Sequence, residues 1–234
     1  MISHSLPDAV LWDMDGTLVD TEPYWMAAET AVVSRHGGTW THEQGLQLVG
    51  NDLLTSARII QEQTGIPGAP EALVTEILGG VVSRVLEHGA PWRPGALRLL
   101  AALRGAGVPC ALVTMSYAAL ADAVVQAAPT GSFEAVVTGD QVTLGKPHPE
   151  AYLTAAERLG VDVTRCVAIE DSTVGVTAAL ASGARTVAVP MMVPVPARDT
   201  LSRLRSLEHA DVELLSRVLA GEVVDELEPS HSRH

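Results

Sequence analysis

Short apolar runs in this chain end repeatedly in residues that can do chemistry. The first, Ala9–Trp12, leads into Asp13-Met14-Asp15-Gly16-Thr17-Leu18-Val19-Asp20. Carboxylates two residues apart on an extended segment can point to one side. At the end of a strand, Asp13 and Asp15 would form an acidic mouth suited to a hard divalent cation. Taken alone, the pair reads equally well as a solvated acidic turn. A second run ends in Thr114-Met115-Ser116, where a hydroxyl and free amides could meet phosphoryl oxygens, although a threonine closing a strand is commonplace. A third piece is Gly145-Lys146-Pro147-His148-Pro149-Glu150, and Lys146 is the only lysine among fifteen basic residues. Genome composition can impose such a bias, yet a retained lysine points to a place that needs a compact charge rather than a planar fork. The fourth piece is Ile169-Glu170-Asp171-Ser172, two adjacent acids closing an apolar strand.

These pieces need elements to bring them together. Apolar runs at Ala9–Trp12, Cys110–Val113, Ala135–Val137, Cys166–Ile169 and Thr186–Val189 lack polar alternation, as expected of strands covered on both faces. From the second run onward, helical patterns over 94–104, 118–127, 148–159 and 175–182 separate them. Strand and helix in alternation predict an α/β fold, a doubly wound parallel sheet. In such sheets a site gathers at the strands' carboxyl ends, which is where all four pieces fall. Between the first two strands lie four further helical segments, 23–36, 41–49, 53–64 and 70–88, with Thr41 and Gln44 placed for a capping box. They read as an inserted helical subdomain roofing the site. The predicted division is a core over 1–21 and 91–220, a helical cap over 22–90, and a frayed tail over 221–234.

Composition bounds the rest. A chain of 234 residues with 47% apolar and 18% charged residues can bury a substantial core, filled mostly by Ala, Val and Leu because only eight residues are aromatic. A net charge of −13 argues against nucleic acid or an anionic membrane as partner. It also means that any phosphate site must be made locally positive by a metal or a placed cation. Cys110 and Cys166 fall in predicted buried strands and read as core residues in a reducing compartment. With neither a secretory pattern at its start nor a membrane-length apolar run, the chain is expected to be cytoplasmic and monomeric. His36, His42, His88 and His148 lack metal-ligand spacing and read as surface or helix-end residues.

Carboxylates for a metal, a hydroxyl for an oxyanion and one cation make a set suited to phosphoryl transfer, where catalysis is mostly positioning and charge neutralisation. The segments DMDGTLVDTE, LVTMS, GKPHPEAY and IEDSTVG resemble, in order, the four motifs of the haloacid dehalogenase-like superfamily, over roughly residues 9–215. The resemblance implies a sheet of order 3-2-1-4-5 with a helical cap, and a magnesium-dependent phosphohydrolase acting on a small phosphorylated metabolite. It further implies that Asp13 is the nucleophile and that Asp15 is the acid and then the base. Thr114 would bind a phosphoryl oxygen and Lys146 would offset charge. Mg2+ would be held by Asp13, the backbone carbonyl of Asp15, Asp171, and Glu170 directly or through water.

The second aspartate, Asp15, separates the phosphatases and phosphomutases of that superfamily from its dehalogenases. Within the subgroup that resembles this chain, mutases carry a cap histidine just past the first motif and an arginine after the cap's glycine-rich turn. This chain places Trp25 at the first position and has no arginine in Gly50-Asn51-Asp52-Leu53-Leu54, which favours hydrolysis over a beta-phosphoglucomutase type of reaction. A non-catalytic binding protein on the same scaffold is the other alternative. Substrate is expected to meet Thr114, Met115, Ser116 and Lys146 from the core and Glu22, Trp25, Gly50 and Asn51 from the cap. Met115 departs from the small or polar residue usual after the motif threonine.

Overall fold

Runs of small and β-branched residues buried on both faces form the strands, as the absence of polar alternation requires. The computed structural model describes residues 5–48 and 51–227. Its strands are β1 (Ala9–Trp12), β2 (Cys110–Val113), β3 (Ala135–Val137), β4 (Cys166–Glu170), β5 (Arg185–Ala188) and β6 (Leu201–Arg203). Helices α1 (Glu22–Arg35), α2 (His42–Leu46), α3 (Leu53–Thr64) and α4 (Pro70–His88) fill the span after β1. Then follow α5 (Ala96–Gly105), α6 (Ala118–Ala127), α7 (Glu150–Leu159), α8 (Thr173–Ser182) and α9 (Val212–Leu219).

Every strand pairing is parallel, and the spatial order is β3-β2-β1-β4-β5-β6. The order 3-2-1-4-5 holds and gains a sixth strand at the edge. Sequence reading missed β6 because Leu201-Ser202-Arg203 is short and two-thirds polar, yet all three residues are buried. Trp12 of β1 stands opposite Leu112 of β2 and Ile169 of β4. Asp13, Val113 and Glu170 therefore share the next row, and this register is what brings the motifs to one edge.

One face of the sheet packs through Val10, Trp12, Leu112, Val167 and Ile169 into a cluster that continues into the inserted helices through Val32, Ile77 and Val81. The opposite face is alanine-rich, with Leu11, Ala111 and Ala168 against Ala151, Tyr152 and Ala155 of α7 and Ala178 and Ala179 of α8. Cys110 and Cys166 are buried free thiols, and burial pushes both up to about 12. Two antiparallel linkers join the inserted helices to the sheet: Asp20 N donates to Pro91 O at 2.9 Å and Arg93 N to Leu18 O at 2.8 Å.

Several helix ends differ from expectation for local reasons. The α2 helix, expected over 41–49, starts on the predicted capping box of Thr41 and Gln44 but stops at Leu46. The α5 helix begins at Ala96 rather than 94, after a left-handed Gly95. The α7 helix begins at Glu150 rather than 148, because Gly145 O and His148 N close a turn first. Ser172 caps α8, which starts at Thr173 rather than 175. Residues 224–226, within the expected frayed tail, instead pair with β6 at one residue: Arg203 N donates to Val224 O at 2.8 Å and Glu226 N to Arg203 O at 2.9 Å. The rest of the expected tail, 228–234, lies outside the described residues. Among the described residues no helix is long and apolar enough to cross a membrane.

Candidate active site

Asp13 follows β1 directly, and its backbone N–H still belongs to the sheet, donating to Ile169 O at 3.0 Å. Its side chain is buried. One carboxylate oxygen, Oδ1, accepts from Lys146 Nζ at 2.7 Å, while Oδ2 is buried without a hydrogen-bond partner. An orphaned, buried carboxylate oxygen is costly unless a cation or a proton meets it. Burial, reinforced by the Glu170 charge, pushes the Asp13 carboxyl up to about 7 against the pull of Lys146 and, more weakly, of the Thr17 hydroxyl.

Lys146 spans the gap between loops. Its ammonium donates to Asp13 Oδ1, to Glu170 Oε1 at 2.6 Å and to Val113 O at 2.9 Å, using all three protons. The ring of Tyr152 lies 5.0 Å beneath it. The Lys146 side chain is 5% exposed, and the Asp13 and Glu170 carboxylates hold its proton more tightly than usual, outweighing desolvation.

Glu170 is saturated. Oε1 accepts from Lys146 and from the Tyr152 hydroxyl at 2.7 Å, and Oε2 accepts from Asp171 N and Ser172 Oγ. Asp171 is the opposite case: its carboxylate makes no hydrogen bond among the described residues, and burial with the charges of Asp13 and Glu170 pushes it up to about 8. It lies against Gly16, a glycine in the left-handed region at φ 83°, where any Cβ would strike the Asp171 carboxylate. Gly175 is required in the same way beneath Glu170, whose carboxylate occupies the space of a Cβ.

Donor atoms of Asp13, Glu170 and Asp171 lie within 4.8 Å of one another. All-oxygen, anionic donors suit a hard divalent cation. The unpartnered Oδ2 of Asp13 and the free carboxylate of Asp171 are the atoms that fit one, whereas Glu170 already has its partners.

Asp15 turns away from this cluster. Its Oδ1 accepts from the Thr21 hydroxyl, and Oδ2 accepts from Ser116 Oγ at 2.7 Å and Thr114 Oγ1 at 3.4 Å. The two aspartates of the first motif thus occupy separate environments, one bound to a cation and one held by hydroxyls. Thr114 is fixed in turn, since Ser116 N donates to its oxygen at 3.0 Å.

The remaining expected positions divide. Met115 is turned to the lysine loop, its sulfur accepting from Lys146 N at 3.3 Å. Glu22 opens α1 half-buried, and burial with the nearby charges of Asp15 and Asp20 raises its carboxyl. Trp25 packs against the main core cluster. Asn51 is exposed and bonds back to Gln47 O, and Gly50 lies outside the described residues. Thr21, Tyr152 and Arg93 are brought to the site without having been picked out from the sequence. Thr21 follows the last aspartate of the motif and Tyr152 closes GKPHPEAY, so position gave a signal for both. Arg93 gave none, being one arginine among fourteen.

The pattern of the haloacid dehalogenase-like hydrolases matches residues 7–183. Hexitol phosphatase A of Escherichia coli (strain K12) is 34% identical over 206 residues, covering 86% of this chain and 92% of that protein. Fructose-1-phosphate phosphatase of the same organism is 33% identical over 188 residues, covering 78% and 96%. Among solved structures, CbbY from Rhodobacter sphaeroides in complex with phosphate superimposes with a TM-score of 0.77 at 25% identity, covering 87% of this chain and 96% of that one.

Proposed function

Because the chain belongs to the haloacid dehalogenase-like hydrolases, we propose that it is a magnesium-dependent phosphatase that hydrolyses a small sugar or polyol phosphomonoester through an aspartyl-phosphate on Asp13. The observation that carries this reading is the division of the two motif aspartates. Asp13 is bound by Lys146 on one oxygen and open on the other, while Asp15 stands apart on three hydroxyls. A nucleophile needs the first environment and a proton carrier the second. The phosphatase activities named for the two Escherichia coli relatives support both the reaction and the substrate class.

In the first step an Asp13 oxygen forms a bond to phosphorus as the ester P–O bond breaks, and protonated Asp15 gives its proton to the leaving oxygen. In the second, Asp15 takes a proton from water attacking the aspartyl-phosphate. The P–O bond to Asp13 breaks, inorganic phosphate leaves, and both residues return to their starting states. Lys146 keeps one Asp13 oxygen fixed and offsets the repulsion between carboxylate and phosphate. Ser116, at 2.7 Å, would hold Asp15 in line, and the Thr114 hydroxyl, whose contact with Asp15 is the longer one at 3.4 Å, would turn to the phosphoryl group. Asp13 Oδ2 and Asp171, with the backbone carbonyl of Asp15, would hold Mg2+, and Glu170 would anchor Lys146 behind it. When bound, the ion supplies the positive charge that a carboxylate attacking a phosphate dianion requires. Residues 22–90 would act as the cap, with Glu22 and Trp25 nearest the substrate.

The test is phosphate release from a panel of sugar and polyol monophosphates, with Mg2+ and after chelation. Release that EDTA stops and Mg2+ restores is expected. Conversion of a sugar 1-phosphate to its 6-phosphate without release would replace this reading with a mutase. No turnover of any phosphomonoester would leave a binding role.

A further inference from the structure

Arg93 lies in the second linker, where its backbone N–H bonds Leu18 O, and its side chain reaches the Gly16 turn and the segment after β5. A single guanidinium nitrogen, Nη1, donates to the carbonyl of Gly16 and to that of Val189 at 2.8 Å, and Nη2 reaches Pro190 O at 3.5 Å. Those acceptors belong to the two segments between which a cation must sit. Gly16 directly follows Asp15, and the Asp171 carboxylate rests against its Cα. Val189 N donates to Glu170 O at 2.7 Å, so the Val189 carbonyl is tied to the strand end that bears Asp171. One planar fork therefore fixes the separation of the first-motif turn from the fourth-motif strand.

We propose that Arg93 is a positioning residue for the metal site, clasping the Gly16 turn and the segment after β5 so that Asp13, the Asp15 peptide and Asp171 are held at the spacing one divalent ion needs. Its charge adds to the clasp, since it is felt by Asp171 and Asp20. Geometry explains the residue type. Nη1 meets two carbonyls while Nη2 reaches a third, and this spread of donors over two nitrogens in one plane is what a guanidinium has and an ammonium lacks. A lysine ammonium, with its three protons on one nitrogen, could serve the first two carbonyls but has no second nitrogen for Pro190 O.

The inference rests on the metal reading above, and its test uses Mg2+ alone, without substrate. Titration calorimetry of the full chain would give the Mg2+ Kd of wild type, Arg93→Met and Arg93→Lys, beside melts of each protein in EDTA. Binding weakened at least about tenfold is expected in folded Arg93→Met, and about threefold or more in Arg93→Lys. The Met variant's midpoint in EDTA should fall by far less, relative to wild type, than its midpoint in saturating Mg2+. Should Arg93→Met fail to fold, Arg93→Lys carries the test by the same two readings. A folded variant that binds Mg2+ within twofold of wild type would overturn the proposal, because a purely architectural arginine would lower both melts equally and leave Kd alone. Absence of Mg2+ binding by the wild type would instead sink the metal reading and, with it, this inference.

Discussion

At the scale of single residues, the lone lysine is where chemistry and geometry meet most closely. Lys146 Nζ has three acceptors between 2.6 and 2.9 Å and a ring below it, in a space with almost no solvent. A guanidinium is wider, needs aligned donors and cannot place one nitrogen between Asp13 and Glu170 without displacing one of them. The expected outcome for Lys146→Arg is a fall in kcat of about a hundredfold or more, the usual scale for loss of one aligned charge stabiliser. Steady-state kinetics beside a thermal melt would check it, and near-normal turnover would mean that charge alone suffices at this position. The composition anomaly made Lys146 legible in the sequence. Glu170 was legible only as an acid. Its use as the anchor of Lys146 depends on Tyr152 and Ser172 reaching its two oxygens, which requires α7 to cross the sheet and Ser172 to cap α8, and cannot be read from spacing.

At the scale of elements, strands were readable as unbroken apolar runs and long helices by their apolar period, while helix ends were set by single hydrogen bonds. The α3 and α4 helices run where their apolar periodicity and their Gly65 and Pro70 punctuation put them. By contrast, α1 conceals an interaction that its pattern gives no hint of: buried Glu29 accepts from Trp40 Nε1 at 3.1 Å. Burial raises the Glu29 carboxyl from an ordinary 4.5 to about 7, against the opposing hydrogen bond from Trp40. The folded state then holds a proton that the unfolded chain releases. Its contribution is fully present below the unfolded value of 4.5 and is lost as pH rises through about 7. A shift of this size corresponds to roughly 3 kcal/mol at most. Glu29→Gln keeps an acceptor for Trp40 without the titration, so it should stabilise the protein at pH 8 by about 1–3 kcal/mol and change little at pH 5. Urea midpoints at the two pH values would measure this. An equal effect at both would show that Glu29 is ionised in the folded cap.

At the scale of the whole molecule, an open six-stranded sheet leaves two edges, β3 and β6, and the last described residues pair with the second at Arg203. An unpaired edge strand invites association with other chains, and residues 224–226 run along β6, answering its backbone groups on the outer side. They belong to an acidic stretch that follows Gly221, the composition of a tail, so nothing local marks them as part of the fold. The signal lies in a charge far away. Arg203 points inward from β6 with its side chain 10% exposed, pairs with Asp225 Oδ2 at 2.6 Å, and donates to Val195 O at 2.9 Å. A buried guanidinium that loses its carboxylate costs about 3–5 kcal/mol, whereas replacing both partners with apolar residues is close to neutral. Asp225→Ala should therefore lower Tm by roughly 6–20 °C, on the usual scale of about 2–4 °C per kcal/mol for a chain of this size. The double variant Arg203→Met, Asp225→Leu should recover most of that loss. Turnover at 25 °C should stay near wild type in both, because β4 and β5 stand between β6 and the strand bearing Asp13. Melts and phosphate-release assays on the three proteins would decide it. An unchanged melt in Asp225→Ala would mean that the closing segment leaves this edge readily and that the sheet is stable with β6 uncovered.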